Sequence, residues 1–261
     1  MNIADFITEL YCKIDDGLPA VPQHPQAVLS ISELVTIGVL YAMKNVKQRS
    51  FYHWIKDNYG HLFPRLPKRS RLFRRLQAQQ DWTGYFLADP TVLGVADSYG
   101  IELRHPIREG RREHQIGRKG KSNHRWIVGG KLGIVQNQWG LITDWDCRTA
   151  NVHDQTFLPL LVQYDGQMII LADTGFHQAK GDPANVMICR RGAWNVRMTV
   201  ETTFAMLTTV WGSKEMRHRT WAGFEAHLAY TMAAFNILVQ WDGMQPDPNG
   251  RIHRSIAHFT L

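Results

Sequence analysis

The sequence predicts an α/β protein, a sheet with helices on its faces preceded by an all-helical stretch. Three observations support this. Residues 1–88 show helical periodicity and helix punctuation, short strand-like apolar runs begin near residue 90, and strands then alternate with helices. In the first stretch Phe6, Ile7, Leu10, Tyr11 and Ile14 recur on one helical face, and Pro19, Pro22 and Pro25 enforce a loop. Ser30 with Glu33 forms a capping box ahead of the apolar run Leu34 to Leu40. A helix from about Lys47 to Tyr59 stops at Gly60, and after Pro64 and Pro67 Ser70 is placed to cap a basic helix through Leu76. From about residue 90, Thr91 to Ala96 reads as a strand that ends at Asp97. Trp126 to Val135 and Gly140 to Trp145 read as a hairpin around Asn137. A helix from Thr156 to Gln163, strands at Met168 to Ala172 and Val186 to Cys189, and helices over Trp194 to Trp211 and Ala222 to Trp241 complete the order.

The 261 residues are 44% hydrophobic, enough to bury a sizeable core without disulfides. Cys12, Cys147 and Cys189 are far apart and odd in number, with no zinc-ligand spacing, which suits a reducing compartment. No apolar run approaches the ~18 residues of a membrane span, and the first residues lack a signal-peptide pattern. A soluble, cytoplasmic protein is expected. The net charge of +7 is uneven. Arg65 to Arg75 holds six Lys/Arg and no acid, and Arg104 to Arg125 holds eight against Glu109 and Glu113. Clustering of this kind is the electrostatic footprint of a polyanion site; the partner expected is double-stranded DNA, with Arg71, Arg74, Arg75, Arg111, Arg112, Arg118, Lys119 and Lys121 as candidate contacts.

Three acids stand where a phosphoryl-transfer site needs them. Asp97 and Asp173 each follow an apolar strand-like run, and Glu201 lies within a helical one. Bringing carboxylates together is costly unless a cation compensates. Cutting or joining a DNA backbone calls for divalent ions, which activate the attacking oxygen and stabilise the leaving one, and such ions take hard oxygen ligands. Taken singly, each acid has a structural reading. Arg197 and Glu201 are spaced as a helical ion pair, and Asp173 before Gly175 suits a turn. Asp144, Asp146 and Asp154 are competitors, ranked lower because they fall in the hairpin or at a helix start.

Ala96-Asp97-Ser98, Ala172-Asp173-Thr174-Gly175-Phe176 and Arg197-Met198-Thr199-Val200-Glu201 resemble the three signature segments of DDE-type transposases of bacterial insertion sequences. Leu62-Phe63-Pro64-Arg65-Leu66 and Phe73-Arg74-Arg75-Leu76 resemble the leader of one branch of that family. The resemblance implies a ribonuclease H-like mixed sheet with flanking helices over 89–261, preceded by a small all-α DNA-binding domain over 1–88. It also implies Asp97, Asp173 and Glu201 as ligands of two Mg²⁺ (or Mn²⁺) ions, with Arg197 beside them as a catalytic residue. The activity implied is cleavage at insertion-sequence ends and strand transfer into target DNA, by a homodimer assembled on DNA at the bacterial nucleoid. Trp194 stands where many members carry Tyr, and Thr208 where they carry Lys, so that either Lys214 or another base takes that Lys's place or recognition of the ends differs. A DNA-binding remnant that has lost catalysis is the alternative.

Overall fold

The computed structural model describes residues 2–20, 22, 26–111, 113–122, 125–189, 198–214, 216–244, 254–259 and 261. Four helices open the chain: α1 (Ile3–Gly17), α2 (Ile31–Lys44), α3 (Gln48–Tyr59) and α4 (Arg69–Ala78). Asn2 caps α1 through Asp5 N–H, and the Ser30–Glu33 capping box starts α2. α4 begins one residue ahead of Ser70. Lys68 is its N-cap and makes no side-chain cap bond, since an ammonium group has no acceptor; its backbone carbonyl accepts from Arg71 and Leu72 N–H instead.

Six strands form one mixed sheet: β1 (Leu93–Arg104), β2 (Arg118–Ser122), β3 (Arg125–Asn137), β4 (Ile142–Thr149), β5 (Ile169–Ala172) and β6 (Val186–Ile188). β3 runs antiparallel to β1, and β5 and β6 are added parallel on the other side of β1. β3 is long enough that β2 and β4 share its outer edge, β2 on Arg125 to Gly129 and β4 on Gly130 to Gln136. Where they abut, Gly120 lies against the Ala150 carbonyl too closely for any side chain. The short, basic β2 carries no apolar alternation, so local pattern did not announce it. The β3–β4 turn is held by Asn137 Oδ1, which accepts from Trp139 and Leu141 N–H, each at 3.1 Å.

β1 differs from the sequence expectation. Asp97 does not end it; the antiparallel ladder with β3 carries the strand on to Arg104. What does end there is the parallel pairing, since the last bonded pair between β1 and β5 is Val95 with Leu171.

Side chains alternate across the sheet. Val95, Tyr99, Ile101, Ile134 and Leu171 enter the larger core, under α6 (Met198–Trp211) and α7 (Trp221–Val239). Ala96, Val135, Ile170 and Ala172 enter a smaller core on the opposite face, under α5 (Leu158–Val162). α2 and α7 are apolar nearly all round, the mark of helices surrounded by protein. They pack on each other where Gly38 leaves room for the Tyr230 ring, whose hydroxyl donates to the Leu76 carbonyl at 3.1 Å. Asn236 of α7 reaches the sheet. Its amide donates to the Phe86 and Ile142 carbonyls at 2.9 and 2.7 Å, and its Oδ1 accepts from Ile142 N–H at 2.9 Å. No disulfide links the described cysteines, of which Cys147 and Cys189 are buried and Cys12 is exposed, and no helix among the described residues is long and apolar enough to cross a membrane.

Gly38→Ala should drive a methyl into Tyr230 and destabilise the protein by about 1–3 kcal/mol, read as a lower urea midpoint; an unchanged midpoint would show that α2 and α7 do not depend on this contact. A pH dependence follows from His218, whose burial lowers its pKa to about 4, and from His227, held well below the usual histidine value chiefly by burial. The unfolded chain binds these protons more readily, so stability is full above about pH 6.5 and falls as the pH drops towards 4. The His218 share is of order 3 kcal/mol, and unfolding curves of His218→Phe should show a correspondingly smaller acid loss.

Candidate active site

Continuing the β1–β5 register two residues beyond Val95 and Leu171 brings Asp97 level with Asp173, on the face covered by α6. Asp97 Oδ1 accepts from Ser98 N–H at 2.7 Å. Asp173 caps the turn Thr174–Phe176 by accepting from Gly175 N–H at 2.8 Å, and Phe176 plugs the smaller core. This gives a physical reason for each residue of the Asp-x-Gly-Phe segment. The aspartate caps, the phenylalanine anchors, and the glycine makes room: a Cβ there would stand 2.5 Å from Asp154 Oδ2 and 2.9 Å from Asp173 Oδ1.

Glu201 comes to the same place on α6. Val200 and Leu207 bury the inner face of the helix, the Tyr99 and Phe204 rings meet at 4.3 Å, and Gln136 Nε2 of β3 donates to Thr203 Oγ1 at 2.7 Å. Tyr99 OH also pairs with Ser213 Oγ at 3.0 Å, fixing the chain just past the helix. Glu201 therefore lies one turn from Phe204, beside the stretch of β1 that carries Asp97.

The result is a cleft of about 550 Å³ lined by Asp97, Asp173 and Glu201 together with Asp154, and by Lys121, Lys131 and Lys214. Asp154, ranked below the other three from sequence, lines the same cleft. Its Oδ1 is 2.7 Å from Lys131 Nζ and accepts from Ser98 Oγ, contacts between residues far apart in the chain that no local pattern foretells. Asp144 and Asp146 do not line this cleft. Asp144 is occupied by Trp145 N–H and Gln163, with its pKa raised mainly by burial, and Asp146 pairs with Arg148 at 2.8 Å. The His177 ring pairs with Asp182 at 2.9 Å. The four carboxylates offer hard oxygen donors of the kind a divalent ion takes. They stand around the cleft rather than in a ready cage, since no three His, Cys, Asp or Glu among the described residues are gathered closely enough to hold a metal.

Of the basic residues singled out by sequence, Lys121 lines the acid cleft. Arg118 and Lys119 are exposed on β2, Lys119 paired with Glu109 at 3.1 Å and lying 5.4 Å from the Trp126 ring centroid. Arg111 is exposed. Arg71 and Arg74 are exposed on α4, and Arg75 lines a different cavity with Asp15 and Leu18. Arg112 and Arg197 lie outside the described residues, as does Trp194. Lys214, a candidate to replace the lysine absent at Thr208, shares the cleft wall with Thr208.

No protein-family model matches the chain, and neither does any curated protein. Among solved structures it is similar to a Mos1 transposase paired-end complex with left transposon end, at 9% identity and a TM-score of 0.31, over 86% of this chain and 80% of that chain. The Mos1 strand transfer complex gives 9% identity and a TM-score of 0.30, over 86% and 79%. A pre-cleavage Mos1 transpososome gives 11% and 0.26, over 86% and 80%.

The crowding at Gly175 has a measurable consequence. Gly175→Ala should cost about 1–3 kcal/mol, and less in an Asp154→Ala background, where part of the collision is gone. Urea unfolding of the four proteins should give a coupling above ~0.5 kcal/mol; strictly additive losses would mean the two residues do not meet.

Proposed function

We propose that this chain is a DDE-type transposase, a metal-dependent DNA phosphoryl-transfer enzyme built on a ribonuclease H-like sheet. The observation that carries this is a single cleft lined by Asp97, Asp173 and Glu201, supplied by β1, the end of β5 and α6, with Lys121, Lys131 and Lys214 around them. Further support comes from the mixed sheet, an antiparallel set on one side of β1 and parallel strands on the other.

In this reading Asp97, Asp173 and Glu201 hold two Mg²⁺ or Mn²⁺ ions, which when bound supply Lewis-acid activation of the attacking oxygen and neutralise charge on the phosphoryl group. Lys121 and Lys214 add positive charge where a phosphodiester would lie. The Asp154–Lys131 pair keeps a fourth carboxylate from repelling the substrate. Arg197 orients Glu201 or contacts a phosphate. Water displaces the 3′ oxygen from phosphorus at an element end, leaving a 3′-OH and a 5′-phosphate. That 3′-OH then attacks a phosphodiester of target DNA in a second in-line displacement. Residues 1–88 serve as a DNA-binding domain and 89–261 as the catalytic domain, with two copies joining two ends.

One observation favours a second reading, a DNA-binding remnant without catalysis: no three acids among the described residues are gathered into a metal cage. The two separate on a duplex carrying the DNA that flanks the gene. A transposase should cut it at a fixed position with Mg²⁺ or Mn²⁺, stop on addition of EDTA, and slow at least about a hundredfold in Glu201→Gln or Asp173→Asn. Tight binding with no cutting by any of the proteins would favour the remnant.

A further inference from the structure

A second cleft, of about 940 Å³, adjoins the acid cleft and shares Thr208 and Lys214 with it. Its charged lining is all positive: Lys47, Arg125, Lys214 and Arg217. Arg125 has Glu102 at 3.9 Å, and the other three make no ion pair with a described residue. Lys47 is the N-cap of the twelve-residue helix α3, which has no side-chain cap bond, and Ser50 of its first turn also lines the cleft. The first N–H groups of α3 therefore lack a side-chain acceptor, and the helix dipole favours an anion there.

A separate observation points to a polar occupant. His227 lines the cleft, is 2% exposed, and has neither ring nitrogen in a hydrogen bond of ordinary geometry with any described residue. His227 and its neighbour His218 are held neutral by burial, against a pull from the Ala42 carbonyl on His227, so the positive charge comes from Lys and Arg alone.

We propose that this cleft is the track for the DNA strand that enters the acid cleft, its phosphates held by Lys47, Arg125 and Arg217 and by the start of α3, with Lys214 at the junction. Four cations lining a cleft of this size, one of them at its junction with the acid cleft, suit successive phosphates of a strand continuing away from its scissile phosphate. The assignment rests on the reading of the acid cleft as a DNA phosphoryl-transfer site. It places the first-bound phosphates against α3 and the segment after α6, rather than against the Arg71 and Arg74 face of α4.

The test is fluorescence anisotropy of a labelled duplex with a single-stranded 3′ extension, across a KCl series in EDTA, so that binding is read without cleavage. The proteins are the parent, Lys47→Ala/Arg217→Ala, Lys47→Arg/Arg217→Lys, and Lys56→Ala/Lys180→Ala, which removes equal charge from exposed positions outside both clefts. Lys47 and Arg217 are exposed, so these changes leave the core intact. We expect the first variant to bind about tenfold more weakly near 0.1 M salt, with a log–log salt slope shallower by about two. The charge-keeping variant and the Lys56/Lys180 variant should stay close to the parent. Equal losses in the two alanine pairs, no loss in the Lys47/Arg217 pair, no DNA binding by the parent, or tighter binding to RNA of the same sequence would each overturn the proposal. Cleavage assays in Mn²⁺ separate it from the reading it rests on. Cleft-dependent binding without cleavage removes the transposase assignment and leaves the track, while cleavage unaffected by Lys47 and Arg217 does the reverse.

Discussion

Helix α7 is the constraint on which the rest depends. Its residues are buried on nearly every side, so it is stable only with protein all around it, and both halves of the chain supply that protein. α2 meets it at Gly38 and Tyr230, α4 through the Leu76 carbonyl, and the sheet through Asn236. Asn236 matters beyond packing, because its amide hydrogen-bonds backbone groups of both Phe86 and Ile142 and so ties the end of the helical half to the sheet. One hydrophobic core accordingly runs from Phe6 of α1 to Ile134 of β3.

With the sheet fixed in this way, the site follows from register and docking. The parallel pairing of β1 with β5 sets Asp97 level with Asp173. The Tyr99–Phe204 ring contact and the Gln136–Thr203 hydrogen bond set the rotation and height of α6, and with them Glu201. Gly175 then allows Asp154 to close the group from the 3₁₀ turn ahead of α5. Each step is a short-range steric or hydrogen-bonding constraint, and together they draw residues from four separate parts of the chain to one cleft.

The distribution of charge shows how local composition and spatial arrangement can part company. The basic run on α4 stands out in sequence, yet Arg71 and Arg74 lie apart from the acid cleft and Arg75 lines another cavity. Lys131 and Lys214 are isolated in sequence and line the cleft itself. A run of like charge on one helix is spread around its exposed side, whereas cations from different elements can converge on one point.

By itself the sequence determined the helical character of 1–88, the capping box of α2, the Asn137 hairpin and the three acidic segments, because caps, turns and apolar periodicity act over a few residues. It did not determine that β1 runs past Asp97, that β2 is a strand, or that Asp154 joins the acids. A strand's length is decided by the partner it pairs with, and β3 supplies that partner for both β1 and β2. Asp154 owes its position to Lys131, Ser98 and the space left by Gly175, contacts that exist only once the sheet and its flanking turns have assembled.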